Sequence, residues 1–144
     1  MFSLHLAFRD LPNMGTGANA RSRLVWAERA KVIREDRTRW GWLIVAQKAF
    51  WLSWIVAHPP PYRVTWEVRY HDRRTRDADG ILSALKTALD AAVQVGLLPG
   101  DSLAVIPETA IRVKMGVGVL GQGTTLILEA LDTRGRDGIP IHDA

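Results

Sequence analysis

The chain has 144 residues, of which 47% are hydrophobic and 24% charged, with a formal net charge of +4 at pH 7. This length and apolar content predict one globular domain over residues 1–144 and exclude a wholly disordered chain. The sequence contains no cysteine, which excludes a disulfide framework, the usual thiolate zinc sites and a cysteine nucleophile. Any catalysis must therefore use carboxylates, hydroxyls, histidines or a hard metal ion.

The first twenty residues predict a short strand followed by a loop. Residues 2–9 alternate loosely between apolar and polar positions, and residues 11–19 contain the Pro, Gly and Asn that are typical of loops. The apolar run at the start reaches Arg9 and Asp10 too early for a signal peptide. We therefore expect a cytoplasmic protein.

The next segment predicts a long helix whose second half is strongly apolar. No proline occurs from residue 20 to about residue 49, and residues 40–57 are apolar except at three positions. Lys48 lies near the centre of that apolar block, where a charge costs about 3 kcal/mol in a bilayer. We therefore favour a buried helix or a dimer face over a membrane span, and we expect no membrane partner. The candidate interface side chains are Trp42, Phe50 and Trp54.

The rest of the chain predicts a strand, a second helix and further strands. Three prolines after His58 end the long helix, and residues 62–71 alternate as a half-buried strand with one charged face. Residues 81–95 place leucine and alanine along one stripe of a helix that Gly96 ends. Strands are predicted at 103–106, 111–119 and 124–131, before a frayed polar tail at 132–144. This order predicts a mixed α/β (α+β) domain, with a mixed β-sheet packed by two main helices.

Arginine makes up 15 of the 19 basic residues. Its planar guanidinium binds phosphate through two parallel hydrogen bonds and stacks on bases, which lysine cannot do. The arginines concentrate in two clusters, within residues 21–39 and 63–76, on either side of the apolar block. An ordinary arginine-rich surface stays open as an alternative, but two clusters fit nucleic acid better than a uniformly solvated surface would.

Asp77 and Asp79 lie where the charged strand leads into the second helix. In an extended chain, residues two apart project to the same side, and paired carboxylates suit a hard cation such as Mg²⁺. The competing explanation is that Asp79 caps the helix and that Asp77 pairs with an arginine. Lys86 follows Asp79 by about two helical turns, and Asp101 follows the turn after the helix, so both can converge on the pair. The competing explanations are an ordinary turn aspartate at Asp101 and a solvated helix residue at Lys86.

The segment 76–102, RDADGILSALKTALDAAVQVGLLPGDS, resembles the core motif of the RusA family of Holliday-junction resolvases. That motif has an Asp-x-Asp-Asn helix start, a lysine, an Asp-Ala-Leu-like helix body, a glycine and then a pair of aspartates. The resemblance implies a RusA-like domain and a homodimeric endonuclease that cleaves four-way DNA junctions, with Mg²⁺ as cofactor and Mn²⁺ as a substitute. By position, it implies metal binding by Asp77, Asp79 and Asp101 and a catalytic role for Lys86. No organic cofactor is expected.

The arginine clusters supply the candidate DNA contacts. The resemblance implies that Arg76 holds DNA phosphate near the metal. The complete set of candidate DNA-binding residues is Arg76, Arg74, Arg73, Arg69, Arg23 and Arg21.

Three positions depart from the family motif. Gly80 stands where the family has the asparagine, and Gly100 stands where it has the first aspartate of the later pair. Lys86 is three residues further from Asp79 than in the commonest spacing, which keeps it on the same helical face. The glycines favour a second hypothesis, a RusA-like protein that binds branched DNA but cleaves it weakly. A third is a protein–protein adaptor that uses the tryptophan-rich block.

Overall fold

The computed structural model describes residues 3–13 and 26–131. Within them the fold is mixed α+β, with a four-stranded mixed sheet and three helices, which confirms the predicted class. Arg21, Arg23 and the predicted tail at 132–144 lie outside the described residues. The elements are β1 (Ser3–Phe8), α1 (Trp26–Val45), α2 (Lys48–Ala57), β2 (Tyr62–Arg69), α3 (Ala78–Gln94), β3 (Glu108–Lys114) and β4 (Gly123–Ala130).

The strand order of the sheet is β1-β4-β2-β3. Strand β4 is antiparallel to β1 and β2, whereas β2 and β3 are parallel. A parallel pair needs a crossover connection, and α3 provides it. The chain therefore leaves β2 at one end of the sheet, which we call the Arg69 end, and returns to begin β3 at the opposite, Tyr62 end.

The core lies between one face of the sheet and the three helices. Val64, Trp66 and Val68 of β2 are no more than 2% exposed, which confirms the alternation predicted for this strand. Burying a side chain of this size stabilises the fold by about 1.5–3 kcal/mol. The opposite face of β2 is polar, and Arg63 there forms ion pairs with Glu108 of β3 and Glu129 of β4.

The predicted long helix is broken into two, so the expectation of two main helices is wrong. A turn at residues 46–47 separates α1 from α2, and the Gln47 side chain donates to the carbonyl of Ala7 in β1 (3.0 Å). The new direction brings Trp51 into the core, at 1% exposure, where its indole N–H donates to the Ile44 carbonyl. No helix in the described part of the chain combines the length and apolarity needed to cross a membrane.

Other elements also differ from the sequence-based expectation. Helix α3 begins at Ala78, three residues before the predicted start, because Asp77 caps it. The strand predicted at 103–106 is a turn closed by hydrogen bonds to the Ser102 carbonyl. Strand β3 ends at Lys114, well before the predicted 119, because Gly116 and Gly118 have positive φ angles that an extended strand does not accommodate.

Candidate active site

The two aspartates of the Asp-x-Asp sequence lie at the amino-terminal end of α3. Asp77 is the N-cap, and its carboxylate accepts a hydrogen bond from the Asp79 backbone N–H (3.2 Å). The competing explanation, in which Asp79 caps the helix, is therefore wrong about the residue, since Asp79 lies in the first turn and Asp77 is the cap. Both residues are exposed, and the positive end of the helix dipole favours negative charge here. The fold thus holds two adjacent carboxylates open to solvent.

Lys86 lies on the same solvent-facing side of α3 as Asp79. A separation of seven residues corresponds to an angular offset of about 20° and a rise of roughly 10 Å. Asp79, Leu82 and Lys86 are all exposed, whereas Ala84 and Leu85 between them are buried against the core. Helical side chains lean toward the amino terminus, so a lysine at this position can extend along the helix toward the aspartates.

Asp101 is exposed, but it lies at the other end of the sheet. Its loop closes on the start of β2 through a hydrogen bond from the Tyr62 N–H to the Val105 carbonyl (2.8 Å). The 17 residues of α3 separate the two ends by about 25 Å. Asp101 therefore does not converge on the pair within one copy of the chain.

Arg76 is held inside the loop that precedes α3. Its guanidinium carbon lies 3.8 Å from the centroid of the Tyr70 ring, and its side chain is only 11% exposed. It donates hydrogen bonds to the Asp72 carboxylate (2.6 Å) and to the Arg74 carbonyl (2.9 Å). The hydrogen bond from Arg76, followed by that from the Arg74 N–H, lowers the pKa of Asp72 below its ordinary value of 3.8. Arg76 therefore stabilises this loop.

The other candidate DNA-binding arginines at this end of the sheet differ in their surroundings. Arg69 is 20% exposed and binds the Gly121 carbonyl (3.0 Å), the Glu67 carboxylate (3.1 Å) and the Thr125 hydroxyl (2.8 Å). Arg73 and Arg74 are exposed in the loop. The structure therefore presents Arg73 and Arg74 to solvent next to the two aspartates, whereas Arg69 is engaged within the sheet.

Asp77 and Asp79 have the donor chemistry that a hard divalent cation needs. Mg²⁺ binds through one or two carboxylates and completes its shell with water and phosphate oxygens. Two exposed carboxylates next to exposed arginines fit that requirement, with the phosphate supplied by a substrate. Across residues 3–13 and 26–131, no three His, Cys, Asp or Glu side chains are grouped closely enough to hold a metal without such help.

Sequence reasoning missed two partners in this loop. Asp72 and Tyr70 hold Arg76 by an ion pair and by ring stacking. The separation of four residues between Asp72 and Arg76 is informative on a helix, but this segment is not helical, so the spacing does not predict the ion pair.

Comparison with known proteins adds no assignment, because no protein-family model and no curated protein matches the chain.

Proposed function

We propose that this protein is a Mg²⁺-dependent endonuclease that cleaves four-way DNA junctions, as its resemblance to the RusA family implies. One observation supports this most directly. The exposed carboxylates of Asp77 and Asp79 and the exposed guanidinium groups of Arg73 and Arg74 occur within seven consecutive residues at one end of the sheet. Carboxylates there suit a metal ion, and adjacent arginines suit the phosphates that a nuclease must hold.

Each side chain of this site has a distinct role in the proposed reaction. Asp77 and Asp79 would hold Mg²⁺, or Mn²⁺ in its place, which when bound activates water and stabilises charge on the scissile phosphate. Arg73 and Arg74 bind flanking phosphates, which makes DNA affinity fall as salt rises. The Lys86 ammonium offsets negative charge that develops on the phosphoryl oxygens. Asp72 and Arg76 keep the loop in place.

The decisive experiment measures cleavage of a synthetic four-way junction with and without Mg²⁺. We expect Asp79→Asn to abolish cleavage while junction binding persists or tightens, because the change removes a metal ligand and one negative charge facing the phosphates. Glu35→Gln, at an exposed acidic position of α1 outside the motif, is the matched control and should cleave at the parent rate. An Asp79→Asn protein that cleaves like the parent would show that the metal assignment is wrong.

The alternative is a protein that binds branched DNA and cleaves it weakly. Two features favour it, namely Gly80 and Gly100 in place of the polar residues of the family motif, and the distance of Asp101 from the pair within one copy. This alternative predicts salt-dependent binding of the junction with little Mg²⁺-dependent nicking. Cleavage by the parent protein at a rate that Asp79→Asn removes would exclude it.

We also propose that the protein acts as a homodimer, since a four-way junction requires two symmetric cuts. The support is a set of exposed apolar side chains on α1 and α2, including Trp42 (72% exposed) and Phe50 (62% exposed). Trp54, the third candidate, is partly buried and stacks on His58, with ring centroids 4.6 Å apart. Trp42 and Phe50 are therefore the stronger candidates for the interface.

A further inference from the structure

A short 3₁₀ turn, Val119–Gly121, presents two apolar side chains to solvent at the Arg69 end of the sheet. Val119 is 75% exposed, and Leu120 is fully exposed. The turn connects β3 to β4 and therefore lies at the same end of the sheet as the loop 71–76 and the start of α3. Apolar side chains in this position are not buried in the protein's own core, so they do not stabilise it by burial.

The turn is fixed against the arginine-rich loop from its amino-terminal side. The backbone N–H groups of residues 116–118 donate to the carbonyls of Asp72 (3.0 Å), Tyr70 (3.3 Å) and His71 (3.3 Å). The Arg73 side chain lies directly over the backbone of this segment, since a Cβ atom at Gly116 would be 2.9 Å from Arg73 Nε. The positions of the turn and of this arginine are therefore coupled.

The carboxyl-terminal side of the turn is fixed as well. The Gly121 carbonyl accepts from Arg69 Nε (3.0 Å), and the Gln122 side-chain oxygen accepts from the His71 backbone N–H (3.3 Å). Hydrogen bonds on both sides hold the tip in one place. Val119 and Leu120 are thus exposed on a constrained support next to basic side chains.

We propose that Val119 and Leu120 form an apolar wedge that inserts between bases at the branch point of a DNA junction; this inference rests on the proposed function. Apolar side chains inserted at a base step unstack it, and such wedges occur beside cations that hold the flanking phosphates. Arg73 and Arg74 of the loop 71–76 supply those cations here, and Arg73 lies over the backbone that leads to the tip. A base step distorted by branching is the cheapest one to unstack, so the wedge favours branched DNA over a regular duplex.

The test compares Leu120→Ser with Leu103→Ser by the fluorescence of 2-aminopurine placed at the crossover of a four-way junction, in buffer with EDTA. Leu103 is a matched control because it is 80% exposed but lies in the loop at the Tyr62 end. We expect the parent and Leu103→Ser to raise the fluorescence on binding and Leu120→Ser to raise it much less. Junction affinity of Leu120→Ser should fall by about tenfold, with duplex affinity nearly unchanged because phosphate contacts remain.

A larger apolar side chain, in Leu120→Phe, should preserve the fluorescence rise and the preference for the junction. Equal losses of affinity for the junction and for the duplex, or no change in either affinity, would overturn the wedge while leaving the nuclease proposal intact. A change in sedimentation of Leu120→Ser without a change in fluorescence would instead identify the tip as a protein contact. A parent protein that binds no branched DNA would overturn the wedge and the proposed function together.

Discussion

Arginines that are equivalent in sequence have different environments in the loop 71–76. Arg76 stacks on Tyr70 and pairs with Asp72, whereas Arg73 and Arg74 are exposed. A guanidinium that is only 11% exposed has to leave these contacts before it can hold a DNA phosphate, so we expect the exposed pair to make most of the phosphate contacts. The residue type predicted that this segment binds phosphate. The burial of each side chain then distinguishes Arg76, which is held within the loop, from the exposed Arg73 and Arg74.

At the same scale, Lys86→Ala should slow cleavage of the four-way junction by roughly 100-fold. In the proposed reaction the ammonium acts on charge that develops in the transition state, so its removal should affect the rate far more than the affinity. Ser83, one turn nearer to Asp79, has no charge to offer, and Ser83→Ala is the control that should leave rate and affinity nearly unchanged. Single-turnover cleavage and filter binding measure the two quantities, and full activity of Lys86→Ala would contradict the assignment.

At the scale of elements, the crossover from β2 through α3 to β3 arranges the candidate site. It places the end of β2, the arginine-rich loop and the start of α3 together, and it places Asp101 at the opposite end of the helix. A second element-scale feature is the break between α1 and α2, where Gln47 binds the backbone of β1 and Trp51 enters the core. Contacts with the sheet therefore determine where the apolar block bends.

The ion pair between Asp72 and Arg76 predicts a pH-dependent stability of the loop before α3. Arg76 lowers the pKa of Asp72, so the folded state binds the proton less readily than the unfolded state. The resulting stabilisation is complete above the ordinary pKa of 3.8 and is lost as pH falls through the lowered pKa. Asp72→Asn should therefore lower the thermal unfolding midpoint at neutral pH, and its difference from the parent should shrink in acid.

Asp36→Asn supplies a comparison in which stability should change with pH in the opposite direction. Burial raises the pKa of Asp36, although Arg39 partly offsets the effect, so the parent should gain stability relative to Asp36→Asn as pH falls toward 3.8. Thermal scans of both variants and the parent across this range test the two directions together. A constant difference between Asp72→Asn and the parent at all pH values would mean that the ion pair does not stabilise the fold.

At the scale of the whole molecule, the apolar surface of α1 and α2 is left uncovered by the rest of the described chain. Exposed apolar patches on globular proteins usually mark interfaces. Part of this surface borders a groove of about 870 Å³ between α2 and β1, which Phe50 and Leu4 help to line. A second copy of the chain seated here would cover this groove and the exposed side chains that border it, so this surface is the candidate for the dimer interface.

We expect the parent protein to sediment as a dimer at micromolar concentration and the double variant Trp42→Ser, Phe50→Ser to sediment as a monomer. Removing two large exposed apolar side chains takes away interface area without opening a cavity in the core, so folding should be retained. Trp26→Ser is the matched control, because Trp26 is similarly exposed (77%) but lies at the start of α1, outside the block. A monomeric parent would contradict the dimer.

Much of this organisation could be predicted from local sequence patterns. The alternation around Val64 and Trp66, the prolines after His58 and the apolar stripe of α3 indicated the elements, because side-chain period and backbone restriction act within a few residues. For the same reason, the sequence around residues 77–79 was enough to indicate that Asp77 and Asp79 are neighbours at the start of a helix. The broken helix and the absent strand at 103–106 were not predicted, since both depend on contacts with the start of β2 or with β1.

Only the tertiary structure shows how distant segments of the chain lie relative to one another. The separation of Asp101 from Asp77 follows from which end of the sheet the chain returns to after α3, and the engagement of Arg76 follows from the position of the Tyr70 ring. The turn that carries Leu120 lies next to the loop 71–76 only because β3 pairs with β2 and the segment after β3 bonds to residues 70–72. Such relations arise from strand pairing and burial that involve the whole chain. A short stretch of neighbouring residues therefore does not predict them.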